Sequence, residues 1–218
     1  MSKLRFTISM SLDGYIAGPN QSLENPLGEG GEQLHDWAYN LKTFREMHGE
    51  PGGETGVSDD VLREGFDNLG AHIMGRGMFG GGPGTWDESW KGWWGENPPY
   101  HTPVFVLTHH ARDPLVMQGG TTFFFLTDGI ESALRQAKEA AGVKDVLIGG
   151  GAKTVQQYLA AGLVDEMELH VVPILLGGGE RLFDNLGGSG PNLEPVRTLE
   201  GPGVAHLKYR IANRGADR

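Results

Sequence analysis

The chain has no cysteine among its 218 residues, which excludes disulfides, thiol nucleophiles and cysteine-ligated zinc. It has no apolar run near the roughly 18 residues that a membrane-spanning helix needs, and no opening stretch that reads as a secretory signal. Those two absences predict a cytoplasmic protein with no membrane partner. Basic residues are scarce: 18 Lys and Arg against 28 Asp and Glu leave a net charge of −10. Nucleic acid is therefore excluded as the main partner, because a phosphodiester backbone demands clustered cations. A single bound nucleotide is not excluded, since it needs only local donors. There is no internal repeat, so solenoids are excluded. A chain of this length reads as one domain, 1–218, able to bury roughly 70% of its unfolded surface.

What is abundant is glycine, with 36 residues clustered at turns. The stretch from Val143 to Gly179 organises the chain. Val146-Leu147-Ile148 is a short apolar run that reads as a buried strand. Gly149, Gly150 and Gly151 follow, and Ala152 to Ala161 has helical composition, with Val155, Tyr158 and Leu159 on one face. Gly162 ends the helix, and the apolar run Met167 to Leu176 forms the next strand. This is a βαβ-like unit. A helix N-terminus carries unpaired N–H groups and about half a positive charge, and glycines let an anion approach the backbone. The plainer reading of the triplet is a tight strand-to-helix turn. A P-loop is excluded, because Ala152 precedes Lys153-Thr154 and Leu147 stands where the first glycine belongs. Gly75, Gly77 and Gly80 spell G-x-G-x-x-G. The acidic partner such a fingerprint needs would fall at Glu96 or Asn97, inside a Trp/Pro/Gly-rich loop, so a simple Rossmann unit does not fit.

The remaining elements are read from periodicity. Leu4 to Ser9 alternates as a first strand and runs into Asp13-Gly14, a turn by composition. Leu34, Trp37, Leu41 and Phe44 mark one helical face. Ser58 reads as an N-cap, with Asp59 and Asp60 in the first turn, where negative charge suits the helix dipole. Ala71 to Met74 is a strand that leaves into Gly75, Arg76, Gly77 and Met78. Arg76 has two readings, a phosphate ligand or a surface ion pair. Between residues 81 and 103 lie Trp86, Trp90, Trp93, Trp94 and Tyr100. This loop reads either as the wall of a flat-ring pocket or as a dimer contact, with Trp90, Trp93 and Trp94 able to share a helical face. Val104 to Leu107 is a buried strand ending in Thr108-His109-His110, and polar donors at a strand's carboxyl end suit a ligand. Adjacent histidines on a turn are poor metal chelators, and no metal site is expected. Thr121 to Leu126 is a strand, Asp128 caps a helix containing Ile130, Ala133, Leu134 and Ala137, and two late antiparallel strands flank Gly201-Pro202-Gly203. About eight strands and four helices favour a three-layer α/β fold: a mixed, mostly parallel twisted sheet with helices on both faces.

Four separated pieces together resemble the dihydrofolate-reductase-like superfamily. They are Ser11 to Ala17, Ile73 to Arg76, Leu147 to Ala152, and Leu163 to Glu166 with the strand that follows to Pro173. They look most like the C-terminal reductase domain of the bifunctional riboflavin-biosynthesis deaminase-reductase and its stand-alone relatives. The resemblance implies an NADPH-dependent oxidoreductase, usually a homodimer, acting on a small heterocyclic substrate (pteridine- or aminopyrimidine-like) or on a carbonyl or imine. It places Ile16 and Ala17 at the nicotinamide and Gly75, Arg76, Gly77 and Met78 at the pyrophosphate and adenosine side. Thr108 and His109 fall at the 2′-phosphate, and Gly149, Gly150, Gly151, Ala152, Thr154 and Val155 around the phosphates. Asp13 is the candidate for orienting substrate or relaying a proton, and Trp37, Asp59, Trp86 and His170 are expected at the substrate pocket. By position, Asp59 or Asp60 corresponds to the superfamily's pterin-protonating carboxylate and His170 to the threonine supporting it. Two rival readings keep the fold without the chemistry: a non-catalytic nucleotide-binding module, and a dimeric protein whose tryptophans meet between subunits.

Overall fold

A computed structural model describes residues 2–187 and 190–212. The strands are β1 (Leu4–Ser11), β2 (Tyr15–Ala17), β3 (Leu69–Gly75), β4 (Pro103–Leu107), β5 (Leu115–Val116), β6 (Thr122–Leu126), β7 (Asp145–Ile148), β8 (Glu166–Val172), β9 (Glu180–Arg181), β10 (Asn192–Gly201) and β11 (Val204–Ala212). The α-helices are α1 (Asp36–Tyr39), α2 (Lys42–Met47), α3 (Val57–Phe66), α4 (Arg76–Phe79), α5 (Ile130–Ala141) and α6 (Ala152–Ala160).

Nine strands form one sheet in the order β10-β11-β8-β1-β7-β3-β4-β6-β5, one more than expected, and β2 with β9 forms a separate two-stranded ribbon. The six central strands are mutually parallel, while β5, β10 and β11 run antiparallel to their neighbours. The chain therefore leaves β1, builds β3, β4 and β6 outward, returns through α5 to slot β7 between β3 and β1, and crosses through α6 to β8. Because strand side chains alternate faces, Phe6, Ile73, Phe105 and Ile148 point to the side covered by α5 and α6. Met74, Val104, Val106, Phe123 and Phe125 point to the opposite side, under the tryptophan-rich segment. A smaller cluster, Ala38, Leu41 and Leu62 with Trp37 and Phe44, covers the β1–β8 end of that second face. The expected three-layer α/β architecture is what the chain adopts.

Several local expectations are corrected. The face Leu34-Trp37-Leu41-Phe44 is not one helix: a 3₁₀ turn (Gly31–His35), α1 and α2 share it. Leu41 is extended and bridges Glu54, and Lys42 N–H donates to the Glu54 carbonyl, so pairing with a distant loop overrides local helical propensity. The N-cap of α3 is Gly56 (φ 141°), not Ser58, whose hydroxyl is taken by His206. The N-cap of α5 is Gly129 (φ 90°), and Asp128 instead accepts a hydrogen bond from Ser132 Oγ. The run to Leu176 leaves the sheet at Val172, because Pro173 has no N–H to give the ladder. No helix carries Trp90, Trp93 and Trp94; their stretch is made of turns and bends.

Candidate functional site

The carboxyl ends of β1, β7, β3 and β4 stand side by side, in that spatial order. At about 4.8 Å per strand they span roughly 14 Å. Each end releases one of the segments singled out in the sequence: β1 leads to Ile16 and Ala17, β7 to Gly149–Gly151, β3 to Gly75–Met78, and β4 to Thr108 and His109. A linear track along one sheet edge results.

The two glycine turns at its centre touch. Gly149 N–H donates to the Ile73 carbonyl at 2.8 Å. A side chain at Gly75 would overlap the Thr154 hydroxyl in the first turn of α6, and one at Gly150 would come 3.6 Å from Met78 Sδ. Gly150 (φ 135°) and Gly151 (φ 86°) hold backbone angles that other residues avoid. Gly151 is the N-cap of α6 and supplies no side chain to cap it; the Thr154 and Val155 N–H groups both donate to the Gly151 carbonyl, which leaves the N–H groups of Ala152 and Lys153 as the helix's open donors.

At the β1 end, Asp13 accepts hydrogen bonds from Ser11 Oγ at 2.6 Å and from the N–H groups of Leu176 (3.1 Å) and Gly177 (2.8 Å). These bonds, the Ser11 hydroxyl first, hold its carboxyl below the usual range. A carboxylate that stays ionised and accepts three bonds is an anchor rather than a proton donor. It ties the β1–β2 turn to the loop after β8, and Ala17 is pressed between them, its carbonyl against Gly179.

At the β3–β4 end, Arg76 lies over the Trp86 ring, 3.8 Å from its centroid, and donates from Nη1 to the Gly84 carbonyl at 2.6 Å. Arg112 approaches the same ring at 5.3 Å. Its Nη2 donates to the carbonyls of Glu88 and Trp90, and Glu88 is its ion-pair partner at 3.4 Å. Three buried guanidinium nitrogens here have no partner among the described residues: Nε and Nη2 of Arg76 and Nη1 of Arg112. Burial, and then the charge of Arg112, lower the Arg76 pKa, since Arg76 has no carboxylate partner among the described residues. Trp86 Nε1 donates to the His110 carbonyl at 2.7 Å, which fastens the turn after β4 to this pair. Thr108 is buried and its hydroxyl accepts from His110 N–H, whereas His109 is exposed.

The tryptophans serve the chain's own packing. Trp90 Nε1 donates to the Phe79 carbonyl (3.0 Å) and Trp93 Nε1 to the Met78 carbonyl (2.9 Å), satisfying the open C-terminal end of α4. Trp94 stacks on Phe123.

The four residues expected at the substrate pocket divide. Trp37 lies against His170, ring centroids 4.7 Å apart, and donates from Nε1 to Ser9 Oγ. Asp59 is buried nearby in the first turn of α3, where its carboxylate accepts the Thr43 N–H at 2.7 Å. Trp86 belongs to the other cluster, two strands away across β7 and β3, so Trp86 and Trp37 do not line one pocket. Sequence reasoning missed Arg112, although it follows the His109-His110 turn by two residues. It also missed Thr7 and His206, which come together with His170 only through strand pairing, and it read Ser58 of α3 as a cap rather than as the partner of His206.

A doubly flanked sheet of this order, with an anion-ready edge, is the dihydrofolate-reductase-like class of fold. A dihydrofolate reductase from Enterococcus faecalis, solved with NADP(H), superposes with a TM-score of 0.50 at 13% identity, covering 96% of each chain. Within that class the chain belongs to the RibD C-terminal domain family, whose model matches residues 2–206. A putative riboflavin biosynthesis protein from Shewanella sp. PV-4 superposes with a TM-score of 0.63 at 24% identity, over 96% of this chain and 99% of that one. The Saccharomyces riboflavin biosynthesis reductase Rib7 does so with a TM-score of 0.55 at 13% identity, over 97% and 90%. By sequence, the uncharacterized protein YyaP of Bacillus subtilis (strain 168) is 26% identical over 176 residues, 81% of this chain and 77% of its own.

Proposed function

We propose that the chain, acting as a single domain, is an NADPH-dependent reductase of a small heterocyclic, carbonyl or imine substrate. The observation that carries this reading is the track itself: four successive strand ends present a hairpin, two touching glycine turns and a cationic pair in the order an extended dinucleotide would need. The residues fit the cofactor. A Cβ at Gly75 would overlap the Thr154 hydroxyl, so glycine is what lets the two turns meet, and Arg76 and Arg112 together carry three buried N–H donors with no partner among the described residues. When bound, the reduced nicotinamide supplies a hydride.

The chain's own part is binding, orientation and exclusion of water. Ile16 and Ala17, pinned through Asp13, form one wall for the nicotinamide. The α6 N-terminus with Thr154 and Val155 holds the pyrophosphate. Their unused donors give Arg76 and Arg112 the 2′-phosphate role, with Thr108 shaping the turn beneath them and His109 at the rim. Trp37, Asp59 and His170 border the substrate side near the β1 end. The engaged carboxylates of Asp13 and Asp59 favour a second reading, a nucleotide-binding module without turnover. The two are separated by incubating protein and NADPH with a panel of dihydropteridines, aminopyrimidines and dicarbonyls and following absorbance at the nicotinamide band. Consumption on any of them supports the reductase; binding without consumption supports the module. We also propose a cytoplasmic homodimer, which sedimentation at two protein concentrations tests.

A further inference from the structure

Beneath Trp37 lies an unbroken row of hydrogen-bonding side chains from four different elements. Thr7 Oγ1 (β1) is 2.7 Å from His170 Nε2 (β8). His170 Nδ1 is 2.9 Å from His206 Nδ1 (β11), and His206 Nε2 is 3.0 Å from Ser58 Oγ (α3). Both imidazoles and Ser58 are buried, and the Trp37 ring lies on both rings.

Two facing Nδ1 atoms can share only one proton, so the rings must be complementary tautomers. In one arrangement Thr7 donates to His170, His170 to His206, and His206 to Ser58. In the other every bond is reversed and Ser58 is the donor. Neither arrangement leaves a group unpaired, so nothing in the row selects one over the other. Burial keeps both rings neutral, His170 at about 3 and His206 at about 4, with the Arg197 charge acting in the same direction on each and His35 adding to the effect on His170.

The row also has direction. The C-terminal turn of α3 lies beside Thr7 and Arg5, since Arg5 donates to the Gly65 and Asp67 carbonyls. Its first turn, with Ser58, lies level with Ser9 through the registers Ser9–His170 and His170–His206. Thr7 therefore marks the lower end, and Ser58 the end towards the carboxyl edge that carries the candidate cofactor track. Thr7 borders a cavity of about 10 Å³, the space of one water, lined also by Arg5, Glu166, Glu168 and Lys208. That cavity shares Arg5, Glu166 and Lys208 with a charged cleft of about 300 Å³.

We propose that Thr7, His170, His206 and Ser58 form a reversible proton wire running from this cleft to the first turn of α3. Its use in catalysis rests on the reductase reading. Hydride addition to a C=N or C=O carbon leaves an electron pair on nitrogen or oxygen, which takes the Ser58 hydroxyl proton. Ser58 regains a proton from His206 Nε2, His206 from His170 Nδ1, His170 from Thr7, and Thr7 from water, whose hydroxide passes to the solvent of the charged cleft. One proton enters and one is consumed, so the row ends in its reversed arrangement and resets by hydroxyl and ring reorientation. His170 and His206 are relay residues that act through Ser58.

The test is nitrogen-15 NMR of the full chain labelled at histidine, in the wild type, Thr7→Val and Ser58→Ala. A buried N–H without an acceptor costs more than a buried lone pair without a donor. Thr7→Val should therefore drive His170 to its Nδ1–H tautomer, and Ser58→Ala should drive His206 to its Nδ1–H tautomer. The two variants move the same pair in opposite directions, with Thr7→Ser remaining like the wild type. Should Ser58→Ala fail to fold, Thr7→Val against the wild type still decides. Identical tautomers in every protein, or both rings protonated at Nε2, would overturn the wire. NADPH added to the same samples tests the reductase reading separately: a working wire with no cofactor binding would refute that reading alone.

Discussion

Replacing Gly75 with alanine probes the meeting of the two glycine turns at a single methyl group. The backbone tolerates alanine there, with φ at −81°, so the whole effect is steric. The new Cβ would overlap the Thr154 hydroxyl, and Thr154 is buried in the first turn of α6, where it has little room to turn away. Overpacking of this kind costs about 1–3 kcal/mol. For a domain of this size that lowers Tm by roughly 2–12 °C. Because the strain wedges β3 from the α6 N-terminus, NADPH affinity should fall by about 5- to 150-fold, at about 1.4 kcal/mol per factor of ten. Thr154→Ala in the same chain removes the hydroxyl. The remaining Thr154 Cβ lies 3.8 Å from the added methyl, an ordinary contact. Calorimetric melting should then recover most of the lost Tm, while affinity recovers only in part because Thr154 no longer reaches the phosphate. An unaltered Tm in the single variant, or no recovery in the double, would refute the close approach on which the site is built.

Other consequences are measurable in the same preparations. Arg76→Ala should weaken NADPH by about 1–3 kcal/mol in isothermal titration, and Arg112→Ala should weaken NADPH by about 10- to 150-fold while sparing NADH, each through the loss of a charge-assisted hydrogen bond. Equal effects on the two cofactors would remove the 2′-phosphate role. Stability should fall in mild acid. Burial lowers His72 to about 4, and burial together with neighbouring cations lowers His170 to about 3. Depressed bases of this kind leave stability intact above the unfolded pKa of about 6.5 and erode it as pH drops towards the folded values. At pH 5, about 1.5 units below the unfolded value, each costs about 2 kcal/mol. Urea midpoints at pH 7.5 and 5.0 read this, and identical midpoints would contradict it. Trp93→Phe should cost about 1 kcal/mol through the loss of its bond to the Met78 carbonyl, seen as a shift in the urea midpoint with unchanged slope.

The parts of this molecule that were legible in its sequence are those set by local pattern. The buried runs Val146 to Ile148 and Val104 to Leu107, and the glycine turns that follow strands, depend on neighbours in the chain, and they stand where the periodicity put them. The misplaced features depend on distant partners. Leu41 leaves its helix for Glu54, and Ser58 abandons a capping role for His206, 148 residues away. The tryptophans looked like a pocket wall or a dimer contact because composition reports their number but not the carbonyls of α4 that Trp90 and Trp93 satisfy. Asp13 read correctly as a turn residue by composition, while two of the three donors that hold it ionised, after the neighbouring Ser11 hydroxyl, come from a loop more than 160 residues later. Arg112 was within reach of pattern reading, since the strand that ends in Thr108 leads directly to it.

The most direct measurement is isothermal titration of the wild-type chain with NADPH and, separately, NADH. If adjacent strand ends build one dinucleotide track with a cationic terminus, NADPH binds at one site per chain and more tightly than NADH. If neither cofactor binds, the touching glycine turns are only packing and the reductase reading fails.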